Sequence, residues 1–319
     1  MLHYLLRRLV IAVPTILGVT LLIFIAMRVI PGDPVAMMSA EGQNTRVLSE
    51  EEKAEARRSL GLDRPLHIQY LDWLGEVARG EMGYSFWTQE PIRDQVLHRG
   101  PISAEIALLA VLISWLAGVP LGLLSAIRRN SWLDNVTRLM VTMFMAIPSF
   151  WIGLVLVLFT VRMFLWRPPL VAEQLWDNPV ANLQMVAGPA IALGLGLAAV
   201  IARMTRSAAL ESLGEDYVRT ARAKGLATRP LTMQHVFRNA LLPVITTSGV
   251  AMGGLLGGTV ATETAFGVPG LGNLLVQAMN RRDWTIIQNL VLLYAVIFVI
   301  INLLVDLSYA VIDPRIRFG

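Results

Sequence analysis

The chain has no cysteine, which excludes disulfides, thiolate metal sites and cysteine nucleophiles. That absence leaves the redox compartment open. Lysine is almost as scarce: only Lys53 and Lys224 are present, and neither follows a glycine. A phosphate-binding loop needs Gly-Lys-Ser/Thr, so that backbone amides and an ammonium surround the phosphates. An ATP site of that kind is therefore excluded from this chain. The four histidines, His3, His67, His98 and His235, form no i, i+4 pair that would gather a metal. They read as interfacial or surface residues. Charge itself is thin, at 16% of residues, where soluble domains carry about 25%. The net charge of +4 is not clustered as a nucleic-acid footprint would be; most of it falls in short links between apolar runs.

Apolar residues fill the space that charge leaves. They make up 55% of the chain, and the mean hydropathy is +0.58. Six runs are long enough to cross a bilayer core, which needs about 20 apolar residues. They cover roughly Leu9–Met27, Ile106–Ile127, Leu139–Val161, Asn178–Ala202, Asn239–Thr262 and Trp284–Val305, and none contains a charged residue. The first run follows Arg7 and Arg8 in the manner of a signal peptide. It is too long for a signal core and lacks a small-x-small cleavage site before Arg28, so it is expected to remain as a helix. The expected fold class is an all-α polytopic membrane protein with six transmembrane helices.

Arginine sets the expected orientation. Arg128, Arg129 and Arg138 share one link with a single acid, Asp134. The link from Arg203 to Arg238 holds Arg206, Arg219, Arg222, Lys224 and Arg229 against Glu211, Glu215 and Asp216. Arg7, Arg8, Arg315 and Arg317 mark the two ends, while the links Arg162–Asp177 and Glu263–Asp283 are close to charge-balanced. The positive-inside rule then puts both termini in the cytoplasm.

The segment Pro31–Gly100 is expected outside. Pro31-Gly-Asp-Pro34 ends the first helix. Ser49 caps a helix through Ala54 to Leu60 that Gly61 stops, with Glu52 at its third position. Leu66–Arg79 reads as a second amphipathic helix ending near Gly80. Such a cap either contacts a substrate-delivery protein or braces the membrane part. Glu105, Glu263 and Asp306 lie near span ends rather than at mid-membrane, which weakens a proton-relay reading.

The most informative link is Glu211–Asn239. Within it, Tyr217, Val218, Ala221 and Lys224 fall on one helical face, with Glu215, Arg219 and Arg222 around it. A short helix lying along the membrane suits a groove on a soluble protein. Gly225 would end it, since a left-handed turn is cheapest for glycine. Pro243 would sit in the first turn of the next span. An ordinary basic loop obeying positive-inside is the plainer alternative. Two other elements carry similar alternatives. Gly267-Val-Pro-Gly-Leu-Gly272 reads as part of an outer gate or docking surface, or as a tight re-entrant turn satisfying its own backbone. The glycines of Gly249–Gly258 suit close helix packing or a pathway lining, and Met140, Met143 and Met145 suit either as well.

Signatures from end to end resemble one family. They include Pro31-Gly-Asp-Pro34, Leu60-Gly-Leu-Asp-Arg-Pro65, Gly83-Tyr-Ser85, Ile147-Pro-Ser-Phe150, Tyr217-Val-Arg-Thr-Ala-Arg-Ala-Lys-Gly225, Phe266-Gly-Val-Pro-Gly-Leu-Gly272 and Asp313-Pro314. The chain resembles permease subunits of peptide/nickel-type ABC importers, in particular the first permease of dipeptide or oligopeptide systems. Arg219 and Thr220 precede Ala221 where the general importer motif has Glu-Ala, and fourteen residues separate Gly225 from Ala240. Both departures resemble the usual form of the peptide branch.

The resemblance implies a type I importer permease fold. It would have an N-terminal transmembrane helix at 1–30, an extracytoplasmic helical segment at 31–100 and a five-helix core at 101–312. A cytoplasmic coupling loop at 207–239 and a tail at 313–319 complete it. In this family the coupling loop engages the ATPases; the matching residues are Asp216, Tyr217, Arg219, Thr220, Ala221, Lys224, Gly225 and Leu226. Phe266, Pro269 and Gly270 would serve an outer gate or the docking of a binding protein. The implied partners are a second permease, two ABC ATPase subunits, an extracytoplasmic substrate-binding protein and the lipid of a bacterial inner membrane, with no nucleic acid. The chain itself would hold no cofactor, ATP and Mg lying on the ATPases, and it would not be an enzyme. Peptides are the expected cargo, with nickel chelates, glutathione, opines and sugar-like solutes open. A secondary transporter or a non-transport membrane assembly subunit remains the alternative.

Overall fold

The computed structural model describes residues 2–29, 49–59, 61–166, 169, 171–225 and 236–312. The Pro31–Pro34 turn, Leu60, Leu226 and the tail at 313–319 lie outside the described residues. Eleven helices are present among those described: α1 Leu2–Val29, α2 Glu50–Ser59, α3 Leu66–Ala78, α4 Ile92–Ile127, α5 Trp132–Ala146, α6 Ser149–Phe164, α7 Pro179–Gly214, α8 Asp216–Ala223, α9 Phe237–Phe266, α10 Leu271–Arg281 and α11 Trp284–Ile312. In lipid a backbone must satisfy its own polar groups, and the helix is the one way a single segment can do so.

Four helices are each long and apolar enough to span: α1, α4, α7 and α11. The other two expected windows are bent. Leu139–Val161 is two helices, α5 and α6, meeting at 101°, and α9 bends by 53° between Leu255 and Gly257. Proline explains the first break. Pro148 offers no amide hydrogen, and the residue before it, Ile147, is pushed to an extended conformation at φ −90°, ψ 126°. The expected place of Pro243 also shifts. The helix starts at Phe237, so Pro243 lies inside it rather than in its first turn. Val236, fully buried against Val218, Ala126 and Ala209, holds the start that far upstream.

The chain divides into two compact units, Met1–Gly100 with Leu274–Ile297, and Pro101–Asn273 with Phe298–Gly319. In the first, α3 packs Trp73 and Tyr70 on Phe24 of α1 and Leu292 of α11. The Phe24 and Tyr70 rings meet edge to face at 5.2 Å, and the Tyr70 hydroxyl lies 2.9 Å from Thr20 Oγ1. α2 begins directly after Ser49, and α3 ends at Ala78 with Gly80 at φ 81°, as the sequence predicts. The Gly83-Tyr-Ser85 stretch has a structural job. Ser85 Oγ and the Phe86 amide both donate to the buried Asp283 carboxylate, at 2.6 and 3.0 Å.

The second unit is built on α4 and α7. A Cβ at Gly118 would lie 2.6 Å from the Ala198 carbonyl oxygen, and one at Gly122 would strike that of Ala202. Gly194 returns the contact against Ile113 and the Ala110 carbonyl. The two helices therefore touch backbone to backbone, as small residues permit in lipid. The contacts climb together along both chains, from Glu105 with Asn182 to Ser125 with Arg206, so the helices run parallel. The chain between them must return the full length of the pair. That return is α5 with α6, so the bent pair acts as one span.

Gly122→Val should therefore destabilise the protein by about 1–3 kcal/mol through overpacking. Gly196→Ala is the control, because nothing lies within 4 Å of its would-be Cβ. Thermal unfolding in detergent should show a lowered midpoint for the first variant and none for the second.

Candidate functional site

α7 is longer than the membrane needs. Its 36 residues reach about 54 Å at 1.5 Å per residue, against a hydrocarbon core of about 30 Å. The excess at its C-terminal end carries Arg203, Arg206 and Glu211 and stays helical to Gly214. One extended residue, Glu215 at φ −70°, ψ 149°, separates it from α8.

α8 is amphipathic and split between two faces. Val218 is fully buried against Ala126 at the end of α4, Ala209 of α7 and Val236, with Ala221, Leu210 and Leu213 packed around them. Tyr217 is exposed at 39%, and its hydroxyl lies 2.5 Å from Ser212 Oγ. Asp216, Arg219, Thr220 and Lys224 are exposed. Arg219 pairs with Asp216 at 3.3 Å, a solvent-facing i, i+3 contact worth little in stability. Thr220 Oγ1 donates to the Asp216 carbonyl at 2.9 Å. Gly225 ends the element at φ 81°. So the face expected to hold Tyr217, Val218, Ala221 and Lys224 together divides: Val218 and Ala221 anchor the helix, while Tyr217 and Lys224 stay accessible.

Behind this helix lies a cluster that sequence reasoning missed. Asp134, with no exposed side-chain surface, receives both ends of the Arg206 guanidinium: Nε donates to Oδ1 at 2.8 Å and Nη2 to Oδ2 at 3.0 Å. Ser125 Oγ donates to Oδ1 at 2.6 Å, and the Asn130 amide to Oδ2 at 2.9 Å. Ser131 caps α5 by accepting from the Asp134 amide. Three helices, α4, α5 and α7, are tied at one carboxylate. The available signal was Asp134 standing as the single acid of its link, three residues after a helix-capping serine.

The opposite end of the unit holds Phe266, Pro269 and Gly270. Phe266 is buried, its ring wedged between Gly153 of α6 and Gly188 of α7, where a Cβ on either would strike it. Gly270 is buried against the Glu263 carboxylate, and Pro269 is half-buried. Glu263 is fully buried. It accepts from Ser103 Oγ at 2.7 Å and from the Asn273 amide at 3.1 Å, and Ser103 Oγ accepts from the Leu271 amide at 2.8 Å. The positive end of α10 thus faces this carboxylate. The glycines of α9 differ in their surroundings. Gly249 and Gly253 seat Val305 and Phe298 of α11, while Gly254 and Gly257 face open space. Among the described residues no cluster of His, Cys, Asp or Glu could hold a metal.

Residues 118–318 match the family described as binding-protein-dependent transport system inner membrane component, and residues 1–107 match its N-terminal family. The chain belongs to this family. It is 41% identical to the di/tripeptide transport system permease protein DppB of Pseudomonas aeruginosa, over 99% of both chains. Identity to the dipeptide transport system permease protein DppB of Escherichia coli K12 is 38% over 99% of both, and to the glutathione transport system permease protein GsiC of Salmonella choleraesuis 36% over the full length of both. Among solved structures, the inward-facing MetNI methionine ABC transporter aligns with a TM-score of 0.55 at 19% identity, covering 66% of this chain and 93% of that one. An amino acid ABC transporter crystallised with histidines aligns at 0.50 and 15%, covering 65% and 88%. The fold is that of type I ABC importer permeases, and the chain is a multi-pass, non-catalytic permease subunit of the inner membrane.

Asp134→Ala leaves the Arg206 guanidinium three-quarters buried without its carboxylate, a loss of about 3–5 kcal/mol for a broken buried pair. Adding Arg206→Met should recover part of it. Melting of the purified single and double variants checks the order.

Proposed function

We propose that this chain is one of two permeases of an ATP-driven peptide importer and that α8 is where a separate ATPase subunit engages it. The observation carrying this reading is the exposed Asp216, Tyr217, Arg219, Thr220 and Lys224 face of α8, held by Val218 one residue beyond the long α7. A push on that face reaches a continuous helix instead of a floppy loop. ATPase closure would move α7 with its partners α4 and α5 as one body, a hinge-type change. Ala221 and Gly225 set the inner face and the end of the helix, and we include Leu226, next in sequence, in the ATPase contact. Two ATPases, a second homologous permease and an extracytoplasmic binding protein complete the assembly, with ATP and Mg on the ATPases. Both termini and α8 lie in the cytoplasm, following the arginine distribution. The segment 31–100 then lies outside, before the five-helix core at 101–312.

Phe266, Pro269 and Gly270 act as packing at the outer end. The burial of Phe266 between two glycines favours a seal over a docking surface. Di- and tripeptides are the proposed cargo, since relatives at 41% and 38% identity bear dipeptide names; glutathione is the second choice.

Because the chain lacks cysteine, single cysteines report sidedness cleanly. His67→Cys should react with a membrane-impermeant maleimide in intact spheroplasts, and Lys224→Cys only in inverted vesicles; the reverse pattern would turn the topology over. Gly225→Val forces a β-branched residue to positive φ. Dipeptide uptake should drop severalfold while ATPase subunits still co-purify. Full uptake in that variant would count against coupling through α8, and uptake persisting without any ATPase would favour a secondary transporter.

A further inference from the structure

The first unit contains a cavity of about 310 Å³ whose walls include Arg28, Arg58, Gln69, Trp73, Trp284 and Gln288. Its chemistry is one-sided. Arg28 Nε and Nη1, Trp73 Nε1 and Gln288 Nε2 are buried and have no hydrogen-bond partner. All four are donors. Trp73 and Gln288 are 8% and 5% exposed, so bulk water does not reach them freely. A buried donor left unmade carries its full desolvation penalty, and several in one cavity call for an acceptor-rich occupant.

The guanidinium is held in place. Its Cζ sits 3.6 Å from the Phe24 ring centroid and 5.6 Å from that of Trp284. Nη2 donates to Gln69 Oε1 at 3.1 Å, the one polar partner of Arg28 among the described residues. None of the ion pairs among the described residues includes it. The acids at the rim do not answer it: Asp72 is engaged by Arg64 at 3.0 Å, and Glu76 is exposed. Water could meet the donors singly, but water leaves the positive charge uncompensated.

Depth identifies the source of the anion. Arg28 is the penultimate residue of the apolar stretch Val10–Val29, and Trp284 is the first of Trp284–Leu307. Both therefore stand where hydrocarbon gives way to headgroups, the level at which tryptophan and arginine anchor to the interface. Phospholipid phosphates lie at that level. We propose that this cavity is a phospholipid headgroup site, in which Arg28, Trp73 and Gln288 donate to the phosphate oxygens. The acyl chains run down the apolar exterior of α1. A lipid seated there joins α1, α3 and α11, the three elements that carry its donors, and its recognition is by phosphate and not by tail.

The test uses the full chain purified in mild detergent, stripped of lipid and examined by native mass spectrometry. Four probes are added separately: phosphatidylglycerol, phosphatidylethanolamine, diacylglycerol and inorganic phosphate. The expected result is one tightly retained phospholipid of either class and no retained diacylglycerol. Arg28→Met should weaken retention by about tenfold or more, the loss of a charge-assisted contact. Trp73→Phe removes the N–H along with part of the indole, and Gln288→Leu removes an N–H at nearly constant volume; each should weaken retention by a smaller factor, the second without lowering the melting temperature. Gln288→Leu keeps the proposal testable if Arg28→Met fails to fold. Equal retention in wild type, Trp73→Phe and Gln288→Leu overturns the site. Diacylglycerol bound as tightly as phospholipid overturns recognition by phosphate. Inorganic phosphate saturating the same donors without lipid overturns the lipid source and leaves a site for a soluble oxyanion.

Discussion

The backbone contact between α4 and α7 is the constraint from which the rest of the larger unit follows. Lipid offers no hydrophobic drive for two helices to meet, so the gain must come from close packing. Gly118 and Gly122 supply it by letting the carbonyls of Ala198 and Ala202 come to where side chains would stand. Once the two helices lie parallel in that register, their polar groups meet at the ends and nowhere between. Asn182 donates to Glu105 at one end, and Ser125, Asp134 and Arg206 converge at the other. The expensive charges of the unit are thus paired at the margins, while its middle is left to Ile106, Ala110, Met185, Ala192 and Ile201.

This arrangement makes α7 a stiff rod that three elements share. Asp134 fixes α5 to it, the glycines fix α4, and Val218 fixes α8 to its projecting end. A single extended residue, Glu215, is the only joint between rod and short helix. Force applied to α8 has few soft places in which to dissipate. The break at Ile147–Pro148 is one soft place that remains, and Phe266 inserts between the two helices α6 and α7 on its far side. A movement of α7 toward or away from α6 must therefore load or free that ring. The short helix α8 and the Phe266 ring thus touch the same rod.

Much of this was legible in the chain, and the rest was hidden for identifiable reasons. Uncharged runs mark the spans because charge in hydrocarbon is costly, and Gly80 and Gly225 mark helix ends because their φ values are positive. Hydropathy windows, however, carry no dihedral information. The run Leu139–Val161 therefore read as one span with no sign of the break at Pro148, and the start of α9 was placed too late because Val236 is held by tertiary contacts. The spacing of Gly118 and Gly122 was present but passed over among 25 glycines. The partnership of Asp134 with Arg206 spans 72 residues, far beyond any helical period. For α8, the sequence located the helix and its end, but only packing decided which residues of its apolar face are spent on the permease itself.

One charge stands apart from the others. Within or beside the spans, each buried ion must be answered, since the penalty for an unpaired one runs to several kcal/mol, on the order of 3–5. Asp134 is answered by Arg206, Ser125 and an amide; Glu263 by Ser103 and the start of α10; Asp283 by Ser85 and the Phe86 amide. Each of these acids meets its donors within the fold, and each occupies a place where helices are locked together. Arg28 is only partly buried, but its enclosed Nε and Nη1 lie between packed elements, with aromatic faces and one neutral amide in place of an anion. A fold that satisfies these acids this completely has no physical reason to leave the Arg28 guanidinium short. The missing acceptor then belongs to the surroundings, and at the boundary of a bilayer the surroundings are phosphate.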